Sequence, residues 1–148
     1  MMNNTIKQVF VDSNIWLYCF LSGQDKDPKE DARKRMIANS ITDVEGIVIS
    51  TQVINEVCSI LKRKVGFNEE QILKLIESFE RRYQIVPVDL FIVKNASKLR
   101  QQYSFSFWDS LIIASALEAG VTILYSEDMQ DGLLVAGTLE IMNPFKEN

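Results

Sequence analysis

Four carboxylates in this sequence, Asp12, Glu56, Asp109 and Asp128, occupy positions where chemistry can gather. Asp12 directly follows the apolar run Val9-Phe10-Val11, and Asp128 comes two residues after another such run, residues 122–126 (TILYS). Glu56 lies one turn into a helical pattern that leaves a third, residues 46–50 (GIVIS). Asp109 lies in the first turn of the most apolar helical stretch, residues 107–119. Singly, each has an ordinary reading: Asp12 and Asp128 as turn residues, Asp109 as an acid complementing a helix dipole, Glu56 as a solvated helix carboxylate. Those readings leave unexplained why all four fall near one end of the expected sheet. Carboxylates packed within a few ångströms repel, and one takes up a proton unless a cation neutralises the group. A donor set of hard oxygens favours Mg²⁺ or Mn²⁺ over zinc. A cation held there can lower the pKa of water and stabilise an in-line phosphoryl transition state, so nucleic-acid hydrolysis is the natural use.

Other chemistries are narrowed by what the chain lacks. It has no histidine, which removes Ser-His and Cys-His triads and most zinc-hydrolase designs. Its two cysteines, Cys19 and Cys58, have no CxxC spacing and sit in apolar helical patterns, as buried free thiols do. The net charge of −4 is unusual for a chain that grips phosphates. The basic residues come in runs, however: Lys29, Arg33, Lys34 and Arg35; Lys62, Arg63 and Lys64; Arg81 and Arg82. These are either solvated helix faces or a rim around an acidic centre.

The elements that must position the acids alternate between strand and helix. Strands are expected over residues 7–11, 46–50, 84–88, 122–126 and 139–143. Helices are expected over 13–21, over 29–43 with a thin apolar stripe at Ala32, Met36 and Ile37, and over 52–65, where Val53, Ile54, Val57, Leu61 and Val65 share a face. Asn68 and Asp89 are expected to cap two further helices. The helix over 107–119 is apolar nearly all round, as a helix buried inside the domain would be. A short acidic turn occupies 127–132. This order predicts an α/β fold with a mainly parallel sheet, in which ligands bind beyond the carboxyl ends of the strands. The 148 residues suit a single domain, residues 1–148. No apolar run reaches the roughly 18 residues that span a membrane. Residues 1–8 carry no signal-peptide pattern, so a cytoplasmic location is expected.

Taken together, VDSNIWLY (11–18), NEV (55–57), FWDSLIIASAL (107–117), LYSEDMQDG (124–132) and the closing MNPF strongly resemble a PIN-domain nuclease, and within that family the VapC-type toxins of toxin–antitoxin pairs. The resemblance runs through almost the whole chain. It implies a three-layer α/β/α sandwich around a five-stranded, mainly parallel sheet. It also implies an acidic pocket for one or two Mg²⁺ or Mn²⁺ ions, with Asp12, Glu56, Asp109 and Asp128 as the catalytic, metal-holding quartet. Asn14 and Ser126 match the polar residues lining such pockets and take positioning roles. Asp131 is either a further outer carboxylate or a turn acid, and Glu127 is expected to face solvent. The implied reaction is endonucleolytic cleavage of RNA, with Glu56 completing the metal shell or orienting water. The implied partners are an RNA substrate, a second copy of the chain in a homodimer, and a cognate antitoxin, and the charge of a carboxylate cluster leads us to expect that partner to insert an Arg or Lys near Asp12 and Asp109.

Two other functions remain compatible with the fold. A phosphoacceptor protein also places an Asp after the first strand. The haloacid-dehalogenase pattern needs a second Asp where Asn14 stands, and a receiver needs an acidic pair where Phe10 and Val11 stand. A non-catalytic binding module would keep the fold for partner contacts.

Overall fold

The structure is a computed structural model that describes residues 7–147. The N-terminal reading of residues 1–8 therefore falls, apart from Lys7 and Gln8, outside the described residues. The elements run β1 (Val9–Val11), α1 (Ser13–Phe20), α2 (Pro28–Thr42), β2 (Ile47–Ser50), α3 (Thr51–Val65), α4 (Glu69–Arg82), β3 (Gln84–Val86), α5 (Leu90–Gln102), α6 (Phe107–Glu118), β4 (Ile123–Tyr125), β5 (Leu134–Val135) and β6 (Leu139–Met142). One sheet collects the strands in the order β3-β2-β1-β4-β6-β5. Every neighbouring pair is parallel except β5–β6.

Successive strand residues point to opposite faces, and all of β1 and β2 are buried. Helices therefore cover both faces, as continuous apolar strands require. The helix starts follow local chemistry. Asp27 caps α2 with Pro28 in its first turn, Asn68 and Gln71 form a reciprocal capping box on α4, and Asp89 accepts from Ile92 N at 3.0 Å to cap α5. Gly66 ends α3 at φ +69°, a left-handed position that costs a side chain strain. In α6, Leu111, Ile112, Ile113, Ala114 and Ala116 are all buried.

Three expectations change. A sixth strand, β5, pairs antiparallel with β6 through a turn at Ala136 and Gly137, where φ is 52° and 73°. Two residues are too few for any periodicity to betray a strand. The buried face of α2 is not Ala32 and Met36. Met36 is 74% exposed, and the helix instead buries Asp31, Ala38 and Thr42. Asp31 faces inward because the preceding loop needs an acceptor: Gly23 N and Asp25 N each donate to it at 3.0 Å. Val65, at the end of its apolar stripe, is 52% exposed because α3 runs out past the core. Cys19 and Cys58 are free, the first half-buried and the second buried.

Candidate active site

The sheet order reverses at β1. From β1 the chain moves outward through β2 to β3, then returns to lay β4 on the other side of β1. Such a switch point opens a crevice at the carboxyl ends of the two strands. Asp12 follows β1 and Ser126 follows β4. Asp12 N donates to Tyr125 O at 3.0 Å, which brings the two strand ends side by side.

Asp12 is only 4% exposed, and both of its oxygens accept hydrogen bonds. Oδ1 accepts from Ser13 N at 2.7 Å, so Asp12 also caps α1. Oδ2 accepts from Ser126 Oγ at 2.9 Å and from Asn14 Nδ2 at 3.3 Å. The same Asn14 amide lies 3.2 Å from Asp128 Oδ2 and 3.4 Å from Ser126 Oγ, while its Oδ1 accepts from Glu127 N at 3.1 Å. Asn14 thus ties the start of α1 to the loop after β4. Glu56 reaches the same end of the sheet from α3. Its Oε2 accepts from Ser13 Oγ at 2.6 Å and its Oε1 from Gln52 Nε2 at 2.9 Å. Asp109 sits in the first turn of α6, where Ser106 Oγ accepts from its backbone N at 3.1 Å.

Electrostatics show the four acids acting on one another. Burial pushes Asp12 up to about 7, against the bonds from Ser126 and Ser13, and the charges of Glu56 and Asp109 add to the rise. Asp109 is raised too, first by burial, then by Asp128 and Glu56, with Ser106 opposing. Among the described residues, no three carboxylate or thiol side chains stand close enough to share an ion. The donor chemistry still fits a hard divalent ion. The set is all oxygen, and the buried Asp12 needs a neighbouring positive charge to stay ionised at neutral pH.

Ser13, Gln52 and Tyr18, which the sequence did not single out, belong to this construction, and Glu127 and Lys34 take roles other than those expected. Ser13 bridges Asp12 and Glu56, and Gln52 holds Glu56 from one helical turn away. Glu127 does not face solvent. It accepts from Tyr18 Oη at 2.8 Å and pairs with Lys34 Nζ at 2.7 Å, and Lys34 also holds Asp25 at 2.8 Å. Burial and the Glu127 carboxylate push the Tyr18 hydroxyl up to about 12. Burial works against the charge on Lys34, but its bonds to Asp25 and Glu127 outweigh that and raise it. Ser13 and Gln52 could have been found from their spacing to the acids. Nothing local pairs Lys34 with Glu127. Asp131 takes the turn role: it accepts from Asn143 N at 2.8 Å and lies 3.4 Å from Lys146 Nζ. Much of the first basic run is likewise engaged internally, with Arg33 on Glu30, Lys34 on Asp25 and Glu127, and Arg35 on Asp31. Those side chains do not form a free rim.

Comparison with known proteins points to one family. Among curated proteins, none matches the chain. Among solved structures it is similar to VapC20 of Mycobacterium tuberculosis, described as a sarcin-ricin loop cleaving toxin, with a TM-score of 0.60 at 16% identity, covering 82% of this chain and 92% of that one. It is also similar to a toxin–antitoxin complex from Klebsiella pneumoniae, with a TM-score of 0.63 at 18% identity, covering 93% and 98%. DNA-bound VapBC from Salmonella typhimurium gives a TM-score of 0.60 at 16% identity, covering 94% and 99%. At these identities the likeness is one of fold. A family model for the PIN domain matches residues 9–130. That stretch contains Asp12, Glu56, Asp109 and Asp128, and the chain belongs to the PIN domain family.

Proposed function

We propose that this protein is an endoribonuclease dependent on Mg²⁺ or Mn²⁺, acting as the toxin of a toxin–antitoxin pair. The observation that carries this reading is the buried Asp12 in the β1–β4 crevice, with the charges of Glu56 and Asp109 bearing on it. A divalent ion, when bound, would neutralise the acids, polarise the phosphodiester and lower the pKa of water. Asp12, Asp109, Asp128 and Glu56 are the residues that would hold it. Asn14 and Ser126 keep Asp12 aimed into the crevice by donating to it. Glu56, steadied by Ser13 and Gln52, presents a carboxylate that can complete the ion's shell or orient water. The phosphoacceptor alternative is disfavoured because Asn14 stands where a second Asp is needed, and Phe10 and Val11 where an acidic pair is needed.

An antitoxin partner is supported by the solved relatives that are toxin–antitoxin complexes. A groove of about 320 Å³, lined by Trp16 and Phe20 of α1, Leu75 and Phe79 of α4, and polar residues that include Asn39, Thr42 and Arg82, offers a seat of mixed polarity beside the early helices. A guanidinium from the same segment would pair with the acids, since its planar fork matches carboxylates. Among the described residues no helix is long and apolar enough to cross a membrane, and the cytoplasm remains the expected location. The deciding experiment is RNA cleavage by the purified protein with Mg²⁺ or Mn²⁺, and its loss on chelation. Persistence of cleavage in excess EDTA would overturn metal dependence, and absence of cleavage of any RNA would overturn the nuclease reading.

A further inference from the structure

Asp109 and Asp128 open into a cavity of about 390 Å³ whose other lining residues the proposed reaction does not use. Asp109, Asp128, Tyr103, Phe105, Gln102 and Gln130 are among the residues that line it. We propose that this cavity holds one unpaired nucleobase of the substrate next to the scissile phosphate. The proposal rests on the nuclease reading of the neighbouring acids. Three features support a base. First, no Lys or Arg lines the cavity, so away from the ion proposed at Asp109 and Asp128 no side chain there pairs with a phosphate, and a neutral planar group is the better match. Second, Tyr103 and Phe105 are already stacked, with centroids 5.0 Å apart and planes 17° apart. Tyr103 Oη accepts from Ala136 N at 3.0 Å, which fixes that ring. An aromatic platform of this kind stacks any base. Third, a glutamine amide presents a donor and an acceptor together, which is what a base edge requires. A base in a duplex cannot enter, so the base it holds is unpaired.

The test is a titration of the metal-loaded protein with AMP, GMP, CMP and UMP, and with ribose 5-phosphate as a base-free control. It is followed by NMR at the side-chain amides of Gln102 and Gln130 and the ring of Tyr103. At least one nucleotide should move these signals while ribose 5-phosphate leaves them in place. The double variant Gln102→Ala/Gln130→Ala should bind that nucleotide ~10-fold more weakly, as expected for two lost hydrogen bonds. Equal shifts from ribose 5-phosphate, or no shift from any nucleotide, would overturn the proposal. A second arm compares cleavage of RNA oligonucleotides carrying an abasic site at each position around the cut. Cleavage that ignores every base would sink the base pocket and leave the nuclease reading standing. Nucleotide-specific shifts in a protein that cuts no RNA would do the reverse.

Discussion

Asp12 combines two duties that oppose each other. Its Oδ1 caps α1 through Ser13 N, while its burial makes the charge that the cap prefers costly. Its affinity for a proton is raised in the folded protein, to about 7 from an ordinary 3.8. The protonated form therefore contributes stability that is fully present below the lower value and is lost as pH rises through the higher one. Metal-free protein should accordingly lose stability between roughly pH 4 and pH 7. Asp12→Asn should flatten that slope in denaturant melts followed across pH in EDTA; a slope unchanged in the variant would place its cause elsewhere. The same substitution should cut metal-dependent RNA cleavage at least ~100-fold, equivalent to about 2.7 kcal/mol of barrier, with the circular dichroism spectrum retained. Wild-type cleavage by Asp12→Asn would show that the site is misassigned. Asp109 is raised by burial and by the like charges of Asp128 and Glu56. Asp109→Asn should therefore raise the melting temperature without metal and shrink the rise that metal produces. A lower metal-free melting temperature would mark Asp109 as a structural cap.

At the scale of elements, α2 buttresses the site without carrying any of the acids. Lys34 reaches from α2 to Glu127, the neighbour of both Ser126 and Asp128, and Tyr18 of α1 donates to the same carboxylate. The pairs are only partly exposed, 16% for the Lys34 side chain and 22% for Glu127, so removing one partner strands the other. Lys34→Met should cost about 2 kcal/mol of stability and weaken the melting shift caused by Mn²⁺, because the loop carrying Asp128 loses its tether. The double variant Lys34→Met/Glu127→Gln should recover only part of the stability, since Glu127 then carries no unpaired charge while Asp25 still loses Lys34. If Lys34→Met melts like the wild type, the tether is not structural. The two-residue β5 adds no chemistry, but its turn presents the Ala136 N that holds Tyr103.

For the whole molecule, a net charge of −4 around an acidic pocket implies help in holding RNA. A homodimer that joins the remaining basic side chains of two copies is the expected assembly. Light scattering at micromolar concentration should give twice the chain mass, and a monomer there would count against it. An unrestrained ribonuclease harms its host, so expression of this chain alone should slow growth. Co-expression with a small adjacent antitoxin gene should restore it, and an Arg→Ala change in that partner's pocket-entering segment should weaken the complex in a pull-down. Undisturbed growth with no co-purifying partner would end the toxin reading while leaving the nuclease reading intact.

The strand-helix alternation, the capping at Asn68 and Asp89, and the placing of Asp12 and Asp128 past strand ends were all legible in the sequence. Each depends on contacts within a few residues, where propensity and periodicity act. That the four acids approach one end of the sheet could be expected because parallel sheets put their sites at one edge, while their assignment as a quartet came with the family resemblance. What the tertiary structure alone decided lies in pairings distant along the chain. Lys34 with Glu127 looks like a solvated charge with a turn acid until the fold brings α2 against the loop after β4. Asp31 reads as a surface acid until two loop amides turn it inward. Tyr103 and Gln130 meet beside Asp109 only because α5, α6 and the β4 loop converge at the same end of the sheet. Hydrogen bonds and ion pairs between polar side chains leave no periodic trace in a sequence, so their partners emerge only when the backbone closes around the core.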